Sequence, residues 1–144
     1  MKIRVLLFTA LLGLFASFGH AADKLYADGS VWTVTTVKTV TGHGDEYLNS
    51  LQSSYKALMD EAKKQGLILS YKVLSGEAAN KQDWDILLLV EYKNMAALDG
   101  IDEKFDAIDQ QVIGNTDKQN ALRDKRQPIR EILGGKLVRE VVFK

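Results

Sequence analysis

Trp84-Asp85-Ile86-Leu87-Leu88-Leu89-Val90-Glu91-Tyr92 holds five consecutive aliphatic residues, Ile86 to Val90, between charged neighbours. A run this short with charged ends reads as a strand rather than a helix. Apolar on both faces, such a strand has to be covered on both faces. One cover is expected from the chain's own helices. The other is expected from a second copy of the chain.

Upstream, Val31 to Val40 is β-branched at most of its positions, which favours a strand. Trp32, Val34 and Thr36 share one face, and Val31, Thr33, Thr35 and Val37 the other, so neither face is plainly polar. Asp23 to Ser30, polar with Gly29, is expected to be a loose leader. Thr41-Gly42-His43-Gly44 reads as a turn. From there Tyr47, Leu48, Leu51, Tyr55, Leu58, Met59 and Ala62 recur at helical spacing, which predicts one helix to about Gln65. Asp45 and Glu46 at its start and Lys63 and Lys64 at its end suit the helix dipole, and Gly66 is its expected stop. Leu67 to Ser75 alternates as a second strand, and Ser75 to Asp83 is a polar connection long enough to turn back antiparallel.

Downstream of Tyr92, Asn94 is a good N-cap for a helix carrying Met95, Leu98, Ile101, Phe105 and Ile108. Gly100 is expected inside it, weakening it by roughly 1 kcal/mol relative to Ala. Thr116 or Asp117 is expected to cap a more polar helix ending near Gln127, before Pro128. Gly134-Gly135 allows a bend or bulge, and Leu137 to Phe143 is the last predicted strand. The order is strand, helix, strand, strand, helix pair, strand. That is the ferredoxin-like split βαβ pattern: an α+β fold with a four-stranded antiparallel sheet and helices on one face.

The chain has 144 residues, the size of one domain. Residues 1–22 read as a secretory signal: Lys2 and Arg4, then the apolar run Val5 to Phe18, then small residues around Ala21 and Ala22. The run is shorter than the roughly 20 residues of a membrane span. A periplasmic or secreted protein is therefore expected, with residues 23–144 as a single α+β domain and no membrane segment once the signal is cleaved. Of 19 basic and 19 acidic residues, Lys2 and Arg4 leave with the signal, so 17 basic against 19 acidic gives −2. That balance argues against general nucleic-acid binding. With no cysteine, disulfides and thiol chemistry are excluded.

The strand end Val90-Glu91-Tyr92, followed by Lys93-Asn94-Met95-Ala96-Ala97-Leu98 opening a helix, resembles the dimeric α+β barrel proteins. These include antibiotic-biosynthesis-type monooxygenases and related small stress and decarboxylase-like proteins. The resemblance spans about residues 31 to 144 and is one of pattern, without shared catalytic residues. It implies a homodimer in which two sheets face each other and close a barrel. It also implies the aromatic-lined cavities that cofactor-independent oxygenases of this superfamily use. Fold alone does not fix function.

No nucleophile, acid–base pair or metal set stands out, so no catalytic residue, metal or cofactor is assigned. His43 is the only histidine outside the signal. It is either a ligand or base at a helix start or an exposed turn residue; without a second His or a Cys, the usual transition-metal sets are incomplete. Asp85 and Glu91 share a strand face but lie about 20 Å apart over six residues, as markers of the ends of the buried span. Arg139, among apolar neighbours, either pairs with a carboxylate of the chain or holds an anionic ligand. Trp32, Tyr55, Tyr71, Trp84 and Tyr92 are either core or the lining of a ligand cavity. The expected ligand set is therefore Trp32, His43, Tyr55, Tyr71, Trp84 and Arg139. The expected function is a dimeric module binding a small molecule or a partner. The alternative is a cofactor-independent monooxygenase-like enzyme of the same fold.

Overall fold

The computed structural model describes residues 24–144; the expected secretory signal, 1–22, lies outside them. The apolar run forms a strand over Ile86–Tyr92. In chain order it is β3, following β1 (Tyr26–Thr39) and β2 (Ser70–Ser75) and preceding β4 (Arg130–Phe143). The four form one antiparallel sheet in the order β2-β3-β1-β4. β3 is inserted between β1 and β2 and splits the unit they make with the intervening helices, which is the ferredoxin-like arrangement. The chain is α+β, as its element order predicts.

The helices are α1 (Gly44–Ser53), α2 (Tyr55–Lys64), α3 (Ile101–Val112) and α4 (Thr116–Arg126). They meet the sheet on the face that carries Val31 and Val37 of β1 and Ile86, Val90 and Tyr92 of β3. Those five are buried with Tyr47 and Leu51 of α1, Met59 and Ala62 of α2 and Ile108 of α3. The strand period of two puts alternate residues on the opposite face. There the register aligns Lys72, Leu89, Val34 and Lys136 in one row across the sheet. Ser70, Glu91, Trp32 and Val138 form the next row, and Leu74, Leu87, Thr36 and Gly134 the one on the other side. None of these twelve is buried within one chain. Trp32 confirms the parity, because the Lys72 ammonium lies over its ring at 5.5 Å.

Several boundaries differ from those read in the sequence; the second strand begins at Ser70 rather than Leu67, and the last at Arg130 rather than Leu137. Tyr26 to Ser30 is not a loose leader. It continues β1 and pairs with the end of β4, Tyr26 opposite Phe143, past an irregularity at Gly29-Ser30. A polar segment becomes a strand because a distant one supplies its hydrogen-bond partners. The helix expected to run unbroken to Gln65 is interrupted at Ser54, with φ −130° and ψ −64°. The hydroxyls of Ser53 and Ser54 both donate to the Ser50 carbonyl, each at 3.0 Å, and such back-bonding competes with the helical ladder. Gly100 is not inside a helix. With φ +61° it separates a 3-10 turn at Met95–Leu98 from α3, a conformation glycine adopts at little cost. Gly134-Gly135 lies within the last strand, and the allowance for a bulge there is met beside it, where the ladder with β1 shifts between Thr36 opposite Gly134 and Val37 opposite Ile132.

Other local expectations hold. The Asn94 side chain accepts from Ala97 N at 3.0 Å. Gly66, at φ +73°, ends α2 in a Schellman motif, with Leu67 N donating to Ala62 O at 2.9 Å and Gly66 N to Lys63 O at 3.0 Å. The cap of α4 is one residue earlier than expected, Asn115, accepting from Lys118 N.

Candidate functional site

Between the sheet and the helices is a cavity of about 220 Å³. Val37 and Leu88 form its floor. Leu51 and Leu58 wall it from the helix pair, Ile113 from the end of α3, and Ile132, 53% exposed, stands at its rim. Its polar lining is Tyr47, Ser54, Tyr55, Asp109, Arg126 and Arg130.

The interruption at Ser54 places this polar set. Ser54 is 2% exposed, and its hydroxyl accepts from Arg126 Nη1 at 2.5 Å while donating to Ser50 O. Arg126 is the last residue of α4, and Pro128 follows in the short turn that leads into β4. The two arginines are therefore brought to the cavity from either side of that turn. Arg130 lies over the Tyr47 ring, 5.8 Å from its centroid, a cation–π arrangement.

Three polar atoms of the cavity are buried with no hydrogen-bond partner among the described residues: Tyr55 Oη, Arg126 Nε and Arg130 Nε. A buried donor left unmade costs about 1–3 kcal/mol, and the three side chains that carry these atoms line one cavity. Neither guanidinium has a carboxylate at ion-pairing distance among the described residues. Burial holds the Arg126 pKa below its usual value, with the Arg130 charge acting in the same direction. Burial raises the Asp109 carboxyl, reinforced by Asp106 and opposed by Arg123 and Arg126. Burial also raises both tyrosine hydroxyls, Tyr47 against the pull of Arg130 and Arg126, so both are neutral donors at neutral pH.

The structure brings only two of the expected site residues together. Tyr55 lines the cavity, and Tyr71 packs edge-on against it, ring centroids 6.0 Å apart at 83°. The Tyr71 hydroxyl donates to Asp60 at 2.7 Å, and its pKa is pushed up to about 12, by burial first and then by that bond. A shallower hollow on the far side of Tyr55 runs past Tyr71 to Lys72. Trp32 lies on the opposite sheet face. His43 sits in the turn before α1, its Nδ1 2.7 Å from Glu46 and its side chain 43% exposed. Trp84 precedes β3, half-buried beside Gly76. Arg139 pairs with Asp28 at 2.6 Å, the internal pairing weighed in the sequence. Asp85 and Glu91 serve separate partners: Asp85 accepts from Thr39 N at 2.9 Å, and Glu91 from the Ser70 hydroxyl at 2.5 Å.

Sequence reasoning missed Tyr47, Ser54, Asp109, Arg126 and Arg130. One signal for Arg126 was present: a cation in the last turn of a polar helix, two residues before a proline. Its depth in the fold was not visible. Among the described residues no cluster of three or more His, Asp or Glu side chains could hold a metal ion, and no helix is long and apolar enough to cross a membrane.

No protein-family model matches the chain, and no curated protein matches it. Solved structures of similar fold include the following three. One is HapK from Hahella chejuensis, 13% identical over 76% of this chain and 91% of its own, with a TM-score of 0.44. Another is a dimeric ferredoxin-like protein from an uncultured marine organism, 14% identical over 81% and 90%, with a TM-score of 0.48. The third, from Caulobacter crescentus CB15, is provisionally described as an antibiotic biosynthesis monooxygenase. It is 20% identical over 83% and 93%, with a TM-score of 0.41.

Proposed function

We propose that the protein is an exported small-molecule-binding module that works as a homodimer. The observation that carries the binding reading is the cavity itself, where Tyr55, Arg126 and Arg130, each carrying a buried polar atom without a partner among the described residues, line one space with Val37, Leu51, Leu58 and Leu88. Concave apolar sites with a few convergent polar groups are the usual form of a ligand pocket. The dimer reading rests on the sheet face opposite the helices. Its central band, Val34, Leu87 and Leu89 with Trp32 and Val138 beside it, is bordered by Lys72 and Lys136 and covered by no element among the described residues. A second copy laid on this face matches band to band, as a two-fold interface requires. Export rests on Lys2, Arg4 and the apolar run that follows them.

Native mass spectrometry of the protein recovered from its own host tests all three parts at once. The expected species is a dimer of chains shortened by about 22 residues at the N-terminus, as the signal pattern implies, with a retained small molecule. A ligand-free monomer that keeps Met1 overturns the proposal.

One observation favours a cofactor-independent monooxygenase-like enzyme as a second reading. The Asp109 carboxyl, its pKa raised by burial, lines the same cavity as Tyr55 and is placed to accept a proton there. His43, in its exposed pair with Glu46, does not line that cavity. The readings separate on the fate of the retained molecule: a binding module returns it unchanged in aerated buffer, whereas an oxygenase returns it oxidised.

A further inference from the structure

We infer that the ligand of this cavity is a compact amphipathic monocarboxylate, its carboxylate held by Arg126 and Arg130 and its single-ring-sized apolar body laid against Val37, Leu51, Leu58 and Leu88. This deepens the binding reading and rests on it. Three features select the class. The first is charge. Two guanidinium groups and one carboxyl, Asp109, leave the lining at +1 when all are ionised, so one negative charge neutralises it. A phosphomonoester, with close to two negative charges at neutral pH, leaves an uncompensated charge in a partly desolvated place.

The second feature is donor geometry. Arg126 has committed Nη1 to Ser54, while its Nε and that of Arg130 remain without partners. Guanidinium groups recognise planar carboxylates through paired N–H donors. The Tyr55 hydroxyl, also without a partner, is a third donor. The third feature is size. About 220 Å³ is the space of about seven waters at ~30 Å³ each. It is also below the ~300 Å³ at which drug-sized pockets begin. One ring with one carboxylate fills that volume.

Isothermal titration of the full protein with benzoate, its neutral isostere benzamide and phenyl phosphate tests the class. The expected order is benzoate tightest, with benzamide and phenyl phosphate each weaker by about tenfold or more. R126M and R130M are each expected to lose about tenfold or more in benzoate affinity while leaving benzamide within twofold. Urea midpoints for both variants confirm that they fold. Should R126M unfold, R130M alone decides, because Arg130 makes no side-chain hydrogen bond within the described residues. Equal binding of benzoate and benzamide, or preferred binding of phenyl phosphate, overturns the monocarboxylate class while leaving a binding cavity in place. No binding of any of the three at millimolar concentration overturns the class and the binding reading together.

Discussion

Ser54 and Arg126 can be separated by a double-mutant cycle. Ser54→Ala removes the oxygen that accepts from Arg126 Nη1 at 2.5 Å, leaving a buried guanidinium with one fewer partner. Hydrogen bonds to charged groups contribute about 1.5–3 kcal/mol, so this variant is expected to lose roughly 2 kcal/mol. At about 4 °C per kcal/mol for a domain of this size, that is a fall in Tm of roughly 8 °C. Arg126→Met puts an apolar chain of similar length among Leu51, Leu58 and Ile113. It removes the desolvated charge together with its bond, so its cost is expected to be under about 1 kcal/mol. In the Arg126→Met background Ser54 keeps only its bond to Ser50 O. Ser54→Ala there is expected to cost about 0.5–1 kcal/mol, the range for a neutral hydrogen bond. The coupling between the two sites is then above about 1 kcal/mol, read from urea unfolding of the four proteins. A coupling below about 0.5 kcal/mol, the scatter expected of independent sites, refutes the view that Ser54 holds the Arg126 charge in place.

Asp109→Asn tests the electrostatics of the same cavity. Burial raises the Asp109 pKa above its ordinary 3.8, so the folded state binds this proton more tightly than the unfolded state. Stability contributed by the protonated form is then lost as pH rises from about 3.8 through the folded value. The Asn variant is expected to have a higher urea midpoint than the wild type at neutral pH, with the difference closing as pH falls below 3.8; a lower midpoint at neutral pH contradicts the desolvation argument. In the core, Ile108 is 1% exposed between helix and sheet, and Ile108→Ala is expected to cost about 2–5 kcal/mol by urea unfolding. A loss under about 1 kcal/mol would mean that α3 does not close the core.

The periods of hydrophobic residues carried most of the fold. The strand period grouped the residues of each face of β1 and β3, but with both faces apolar it did not say which group meets the helices. The 3.6-residue spacing of Tyr47, Leu51, Tyr55, Leu58 and Met59 located the helix pair even though it hid the interruption at Ser54. What stayed hidden depends on distant partners. Tyr26 to Ser30 has no strand pattern and becomes one only because β4 lies beside it. Ser50, Ser53 and Ser54 read as ordinary polar positions until their shared carbonyl is seen. The cavity was hidden for the same reason. Arg126 and Arg130 flank a proline in a charged segment, and in one dimension nothing shows that they are less exposed than arginines such as Arg139. Of the aromatic residues weighed as ligand contacts, Tyr55 lines the main cavity and Tyr71 packs against it, whereas Trp32 proved to belong to the other side of the sheet.

The pairing of the first and last strands bears on the order in which the sheet can form. Tyr26 pairs with Phe143, and Lys144 N donates to Leu25 O at 3.0 Å. On the ribosome, Val31 to Val37 can find its β3 partners as soon as residue 92 has emerged. Tyr26 to Asp28 has to wait until residue 143 has been made. Closing so large a loop carries an entropic cost that grows with the logarithm of its length. The outer end of β1 is therefore single and extended for most of synthesis, and the sheet is sealed from its middle outwards.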